Sequence, residues 1–316
     1  MNNLTNLLDI INGDIIEAPV KSKNVKNKAK ELTAEEIATI ELFKSIIDVM
    51  YEDCKEANNF DEVLKKHKAA IKMLNEKINE RTVELKLANG YIKGFYKGYQ
   101  VFYASLGNAK LKTNQHGDGF LIWSIVGKIT CNGKTEICSK RCYNTSKSYE
   151  NNIKSKIRNA VFSQFECFEN IMTKVIKMTP YRKTFVRIHE DGDFFNMKYF
   201  AKWQNIAANV SDENVVVMAY TKEPKLLRKI NKINAENKNM MIRFSIMEDT
   251  DVEIIKYVVK NQVPTYTVLG EKSNCKNAAK VFDQLKLANR CMDNCEHCKK
   301  CYTKHESLTN VYTKLR

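Results

Sequence analysis

The chain has 316 residues, 43% of them apolar and 28% charged, with 52 Lys and Arg against 37 Asp and Glu for a formal net charge of +15. That length and apolar content support one large domain or two smaller ones with a real core and argue against a chain disordered throughout. No run approaches the ~18 consecutive apolar residues of a membrane-spanning helix, and the basic excess favours polyanionic partners, nucleic acid first, through phosphate neutralisation; a Lys- and Asn-rich composition drawn from an AT-rich genome gives the same excess.

In chain order, residues 1–33 read as a short helix around Leu4–Ile11 and a flexible basic tether, KSKNVKNKAK. The start, MNNLTNLLDIINGDII, lacks a basic lead, a long apolar stretch and a small-residue cleavage site, so a cytoplasmic protein without a signal peptide is expected. In that reducing compartment clustered cysteines read as metal ligands or redox groups rather than disulfides.

Residues 34–88 are expected to form a helical hairpin. Thr33 before Ala34-Glu35-Glu36 is an N-terminal signal, and Ile37, Ile40, Phe43, Ile47, Met50 and Tyr51 follow at helical spacing. After Asn58-Asn59 a second helix carries Leu64, Ile71, Ile78 and Leu85 seven apart, a pattern that packs on the core or makes a homodimer. Aromatics and lysines then interleave over residues 91–103, as in a packed β-hairpin or a base-stacking platform.

From residue 120, short apolar runs alternate with helical stretches: FLIWSIV, FVRIH (185–189), VVVMAY (215–220), MIRFSI (241–246) and PTYTVL (264–269), with helices near 198–208, 225–237 and 251–261. This is the pattern of buried parallel strands with crossover helices. The expected fold is α/β, a partial or full (βα) barrel over 89–270, followed by a Cys-rich metal-binding segment over 271–316.

In such folds the site gathers at the carboxyl ends of the strands. The densest end is His189-Glu190-Asp191-Gly192-Asp193. Glu190, Asp191 and Asp193 are candidate catalytic or ligand-positioning carboxylates, and Gly192 permits a tight turn or a close approach; a helix-capping turn is the alternative. Lys222, at the next strand end, could hold a carboxylate or phosphate. Ser245, inside MIRFSI, is a candidate cofactor contact.

Seven of the ten cysteines fall in two tight groups. Cys131, Cys138 and Cys142 form C-x6-C-x3-C after the first strand; three thiolates leave one coordination position open on a [4Fe–4S] cluster or on zinc. Tyr143 follows and could cover such a centre. Cys291, Cys295, Cys298 and Cys301 form C-x3-C-x2-C-x2-C, a complete set for an auxiliary [4Fe–4S] cluster or a structural zinc ion. Its first three cysteines have the spacing of radical enzymes that use S-adenosylmethionine, but no barrel follows them. Cys54, Cys167 and Cys275 are isolated and read as buried apolar residues.

The succession CNGKTEICSKRCYN, FVRIHEDGDFFNMKYFAKWQNIA, VVVMAYTKEP, MIRFSIMED and CMDNCEHCKKCY resembles the phage gene product 88 domain family over residues 100–305. Asp191 stands where that family usually has serine, and Asn144 where it often has alanine. The resemblance implies a divergent radical-SAM-like layout on a phage or mobile element. A cluster would sit at Cys131, Cys138 and Cys142, with Glu190–Asp193 and the cofactor-side candidates His189, Gly192, Tyr143 and Ser245 arranged around S-adenosylmethionine. Three functions are thus carried forward: a radical-SAM-like iron–sulfur enzyme acting on nucleic acid or a nucleotide, a non-catalytic metal-stapled nucleic-acid-binding protein, and a zinc-dependent α/β enzyme.

Overall fold

A computed structural model describes residues 31–109, 111–140, 142, 147–269, 289–290, 295–298, 300–302 and 310–314. Tyr143, Cys275, Cys291 and the 1–30 segment lie outside these residues. Helix α1 (Ala34–Glu56) opens with a capping box: Glu36 N donates to Thr33 Oγ1 at 3.2 Å, and Thr33 N donates to Glu36 Oε2 at 2.9 Å. Its inward stripe runs from Thr39 and Ile40 to Met50, while Ile37 is 48% exposed.

The second expected helix is two short ones, α2 (Phe60–Lys66) and α3 (Lys68–Lys77), interrupted at His67. Leu85 belongs to strand β1 (Val83–Ala88), so its place in the seven-residue spacing is coincidental. Ile71 and Ile78 are buried in the chain's own core, and Leu64 packs against it. Those positions face the chain's own core. Phe60 N donates to Ile129 O at 3.1 Å, and the Phe60 and Phe195 rings meet edge to face, which fastens these helices to the loops after the first two parallel strands.

Strands β2 (Tyr91–Tyr96) and β3 (Tyr99–Ser105) form the expected hairpin, and β1 adds to it antiparallel. Both turns, Asn89-Gly90 and Lys97-Gly98, have positive φ at both residues, the geometry that matches strand twist in two-residue hairpins.

The parallel unit comprises β4 (Asp118–Trp123), β5 (Lys183–Ile188), β6 (Val215–Thr221), β7 (Met240–Ile246) and β8 (Thr265–Leu269). Its connections carry α4 (Glu136–Lys140), α5 (Lys147–Phe162), α6 (Phe168–Lys177), α7 (Met197–Asn209), α8 (Pro224–Leu227), α9 (Ile230–Glu236) and α10 (Val252–Lys260). The C-terminal segment adds β9 (Asn289–Arg290), α11 (Cys295–Cys298) and β10 (Asn310–Lys314); β10 pairs parallel with β8 and with β9. The ten strands make one sheet in the order β1-β2-β3-β4-β5-β6-β7-β8-β10-β9. Among the described residues the sheet is therefore mixed and open, with β1 and β9 at its edges, and the fully closed barrel is corrected. From β4 to β8 the strand order follows the chain without reversal, and right-handed crossovers then put the connecting helices on one face.

Packing confirms two unlike faces. Leu121, Trp123, Val186, Ile188, Val217, Ala219, Ile242 and Phe244 join the helices in the main core. Phe120, Ile122, Phe185, Met218 and Met241 point the other way, into a small cluster closed by Leu111 and Tyr302. We call this second face the inner face. Among the described residues no helix is long and apolar enough to cross a membrane.

Candidate functional site

The loop after β4 runs along the carboxyl ends of the neighbouring strands like a strap. Asn132 Nδ2 donates to Phe195 O at 2.8 Å and to Glu223 Oε2 at 3.1 Å. A Cβ on Gly133 would lie 1.7 Å from the carbonyl oxygen of Lys222, so only glycine lets the strap press on the end of β6. Thr135 Oγ1 lies 3.9 Å from Met247 Sδ, and Ile137 N donates to Asp249 Oδ2 at 2.6 Å. The strap carries Cys131 and Cys138 past the ends of β5, β6 and β7.

Asp193 anchors its landing site. Thr221 Oγ1 and Phe194 N each donate to Asp193 Oδ1 at 2.7 Å, and Lys222 N donates to Oδ2 at 2.7 Å. Its own N–H reaches Thr130 Oγ1 at 3.3 Å. Burial raises the Asp193 carboxyl above its ordinary range, opposed by these donors and by the Lys222 charge. Both carboxylate oxygens are engaged, so Asp193 is a latch between strand ends.

Gly192 has φ +87°, and a Cβ there would lie 2.5 Å from Ile125 Cγ1 and 3.0 Å from Thr130 Oγ1. Turn and close approach both exclude a side chain. Gly192→Ala is expected to cost about 3 kcal/mol from combined backbone strain and overpacking. Urea denaturation measures it; a loss within about 0.5 kcal/mol would show that the loop yields.

The remaining candidates separate. His189, also at positive φ (63°) and 2% exposed, lies on the main-core side. Its Nε2 is hydrogen-bonded to the Tyr199 hydroxyl at 2.8 Å, and its ring meets Phe194 edge to face. It braces the core. Asp191 and Glu190 face a different neighbourhood. Asp191 Oδ2 is ion-paired with Lys156 Nζ, while Oδ1, also buried, has no hydrogen-bond partner among the described residues. Glu190 Oε1 accepts from Asn108 Nδ2 at 2.5 Å. Lys222 Nζ donates to Ser245 Oγ at 3.0 Å, which puts both on the inner face with Cys131.

Burial pushes the Cys131 thiol up to about 12; Asp193 and Cys138 add to the rise and Lys222 opposes it. A bare Cys131 is thus protonated, and a soft metal that takes the proton's place would compensate the buried thiolate. Cys142 lies close enough to Lys156 to act on its charge. The donor chemistry fits a thiolate-bound cluster: the strap brings Cys131 and Cys138 to one end of the sheet, and Cys142 lies toward Lys156, the partner of Asp191. Among the described residues, however, no three Cys, His, Asp or Glu side chains are gathered at ligating geometry. The second group reaches the inner face from another side: Cys295 and Cys301 pack on its apolar cluster.

The sequence reading missed four inner-face residues and one lysine. The Arg187 guanidinium lies 3.7 Å from the Tyr220 ring centroid, and Tyr220 stacks on Tyr266 at 4.3 Å. Arg243 is fully buried, with Nε donating to Cys301 O at 3.1 Å. Burial lowers its pKa, opposed by Cys301 and Tyr220. A lone arginine inside FVRIH and inside MIRFSI was the available signal, since a charge in a buried strand needs a partner. Burial likewise lowers Lys156 to about 8, opposed by Glu190 and Cys142; nothing in the polar run around it marked it out.

No curated protein and no solved structure matches the chain. A family model described as gene product 88 matches residues 100–307, from β3 through the strap and the parallel strands to the last cysteine of the second group. With the strap, the strand-end carboxylates and both cysteine groups inside the matched span, the chain belongs to the gene product 88 family.

Proposed function

We propose that this chain is an iron–sulfur enzyme of the radical S-adenosylmethionine type whose substrate is a nucleotide or nucleic acid. The observation that carries the reading is the strap: a loop that carries Cys131 and Cys138 over the carboxyl ends of β5, β6 and β7, with Cys131 beside Asp193 and Lys222. Cys131, Cys138 and Cys142 would hold a [4Fe–4S] cluster. Such a cluster, when bound, would supply the electron for reductive cleavage of S-adenosylmethionine.

The chain's own residues do the positioning. Asp193 fixes the strap's landing site and the Lys222 backbone. Lys222 Nζ and Ser245 Oγ offer donors to a carboxylate or ribose beneath the strap. The apolar inner face below them keeps water out. Glu190 and Asp191, on the neighbouring strand end, address the second ligand. The formal charge of +15 supports a phosphate-bearing substrate. Cys291, Cys295, Cys298 and Cys301 would hold an auxiliary cluster or a structural zinc ion.

Anaerobic purification tests this. The expected protein is brown, absorbs broadly near ~400 nm and carries about four to eight irons per chain. Under reduction it converts S-adenosylmethionine to 5′-deoxyadenosine. A colourless protein holding only zinc would overturn the reading. An intact cluster that forms no 5′-deoxyadenosine would remove its radical part.

A further inference from the structure

The joint between the antiparallel and parallel halves of the sheet is nearly unpaired. β3 and β4 share a single register pair, Ser105 with Ile122. The Asn159 side chain patches the gap: it bonds Tyr103 N at 3.0 Å, Tyr103 O at 2.9 Å and Ser124 O at 2.8 Å. On the other side of that joint lies a cleft of about 570 Å³, within the size range of small-ligand sites. Cys131, Asp193, Lys222 and Ser245 do not line it; it is a second site beside the strap.

Its chemistry is specific. Tyr91, 38% exposed, meets Tyr103 edge to face at 6.0 Å, and Lys93 Nζ lies 5.5 Å from the Tyr91 ring centroid. The Gln100 side chain adds an amide to the lining. The lining includes Asp191, 6% exposed, held by Lys156 through one oxygen and with the other buried and, among the described residues, unpartnered. A buried carboxylate oxygen without a donor is a rare and costly arrangement, and a ligand N–H group relieves it. So polar a lining disfavours an apolar ligand. Glu190 and Asp191 disfavour a bare anion. An aromatic face for Tyr91, N–H donors for Asp191 and a phosphate for Lys93 occur together in one ligand class, since bases stack on aromatic side chains and are read along their polar edges.

We propose that this cleft binds a nucleotide, with the base between Tyr91 and Asp191 and the phosphate toward Lys93. The assignment deepens the proposed function and rests on it for the role of substrate. Calorimetric titration of the as-purified full chain with AMP, GMP, CMP and UMP tests it without turnover. At least one is expected to bind saturably with a Kd below about 1 mM. Tyr91→Ala should weaken it about tenfold through lost stacking. Lys93→Ala should weaken the monophosphate and leave the matching nucleoside unaffected. Both side chains are at the surface, so thermal melts of these variants should match the parent. A trinucleotide that binds more tightly than the monophosphate identifies a strand as the source of the unit; equal binding identifies the free nucleotide, and either upholds the site. No saturable binding by any of the four, wild-type affinity in Tyr91→Ala, or displacement of the nucleotide by S-adenosylmethionine would overturn it. A chain that binds nucleotide without forming 5′-deoxyadenosine keeps this site and loses the radical reading; the converse result does the reverse.

Discussion

Cys131→Ala is expected to lose one cluster's worth of iron, about four atoms per chain, and with it all formation of 5′-deoxyadenosine. Two remaining thiolates cannot hold a cubane cluster, and the alanine offers no donor. The strap should survive the change. Its contacts run through Asn132, the backbone at Gly133, Thr135 and the N–H of Ile137, not through the sulfur. The metal-free variant should therefore melt close to the metal-free parent. Cys54→Ala is the control: its thiol lies against the core and burial pushes it up to about 12, so its loss should leave iron unchanged. Iron analysis of both variants decides the matter, and unchanged iron in Cys131→Ala would remove the strap from metal binding. Cys295→Ala then sorts the second group: iron falls if it holds an auxiliary cluster, and zinc falls if it does not.

The parallel strands were legible because strands buried on both faces leave continuous apolar runs. FVRIH, VVVMAY, MIRFSI and PTYTVL match the ends of β5, β6, β7 and β8 to within two residues. FLIWSIV overran the end of β4 because Ile125 and Val126 resume the apolar run after Ser124, yet Ile125 N turns aside to bond Asp191 O. The break of the second helix at His67 was not legible; the surrounding residues are good helix formers, and the interruption comes from docking on the core. The strand-end rule located the site but not the roles within it. His189, Asp191 and Asp193 are near neighbours in sequence, and Gly192 turns the backbone so that they serve a core brace, a cleft and a latch. Lys156 belongs to the same site from 35 residues upstream, a distance no local pattern spans. Arg187 and Arg243 were visible as charges inside apolar strands, and the face they occupy followed only from the register.

His189 adds an acid-dependent contribution to the stability of this fold. Burial lowers its pKa from 6.5 to about 3, with the Arg187 charge contributing. The cause is in the packing: Nε2 is bonded to the Tyr199 hydroxyl, which also accepts from Trp123 Nε1 at 3.0 Å, and the buried Nδ1 has no acceptor. An imidazolium there would strand its second proton. The unfolded chain takes up that proton as pH falls below 6.5, whereas the folded chain does so only near 3. The stability tied to neutral His189 is therefore fully present above pH 6.5 and is lost progressively as pH falls toward 3. At pH 4.5 the loss is roughly 3 kcal/mol. Asp193 works in the opposite direction, since burial raises its carboxyl pKa, so the wild-type curve alone mixes the two. His189→Asn separates them. Asparagine accepts the left-handed backbone at this position, its lost packing is independent of pH, and Asp193 is left in place. Urea midpoints measured from pH 7 to 4.5 should fall more steeply for the parent than for the variant, the two closing by roughly 3 kcal/mol. Parallel curves would mean that His189 is solvated or finds an acceptor for Nδ1, and the brace between Trp123, Tyr199 and β5 would not be the dry contact described.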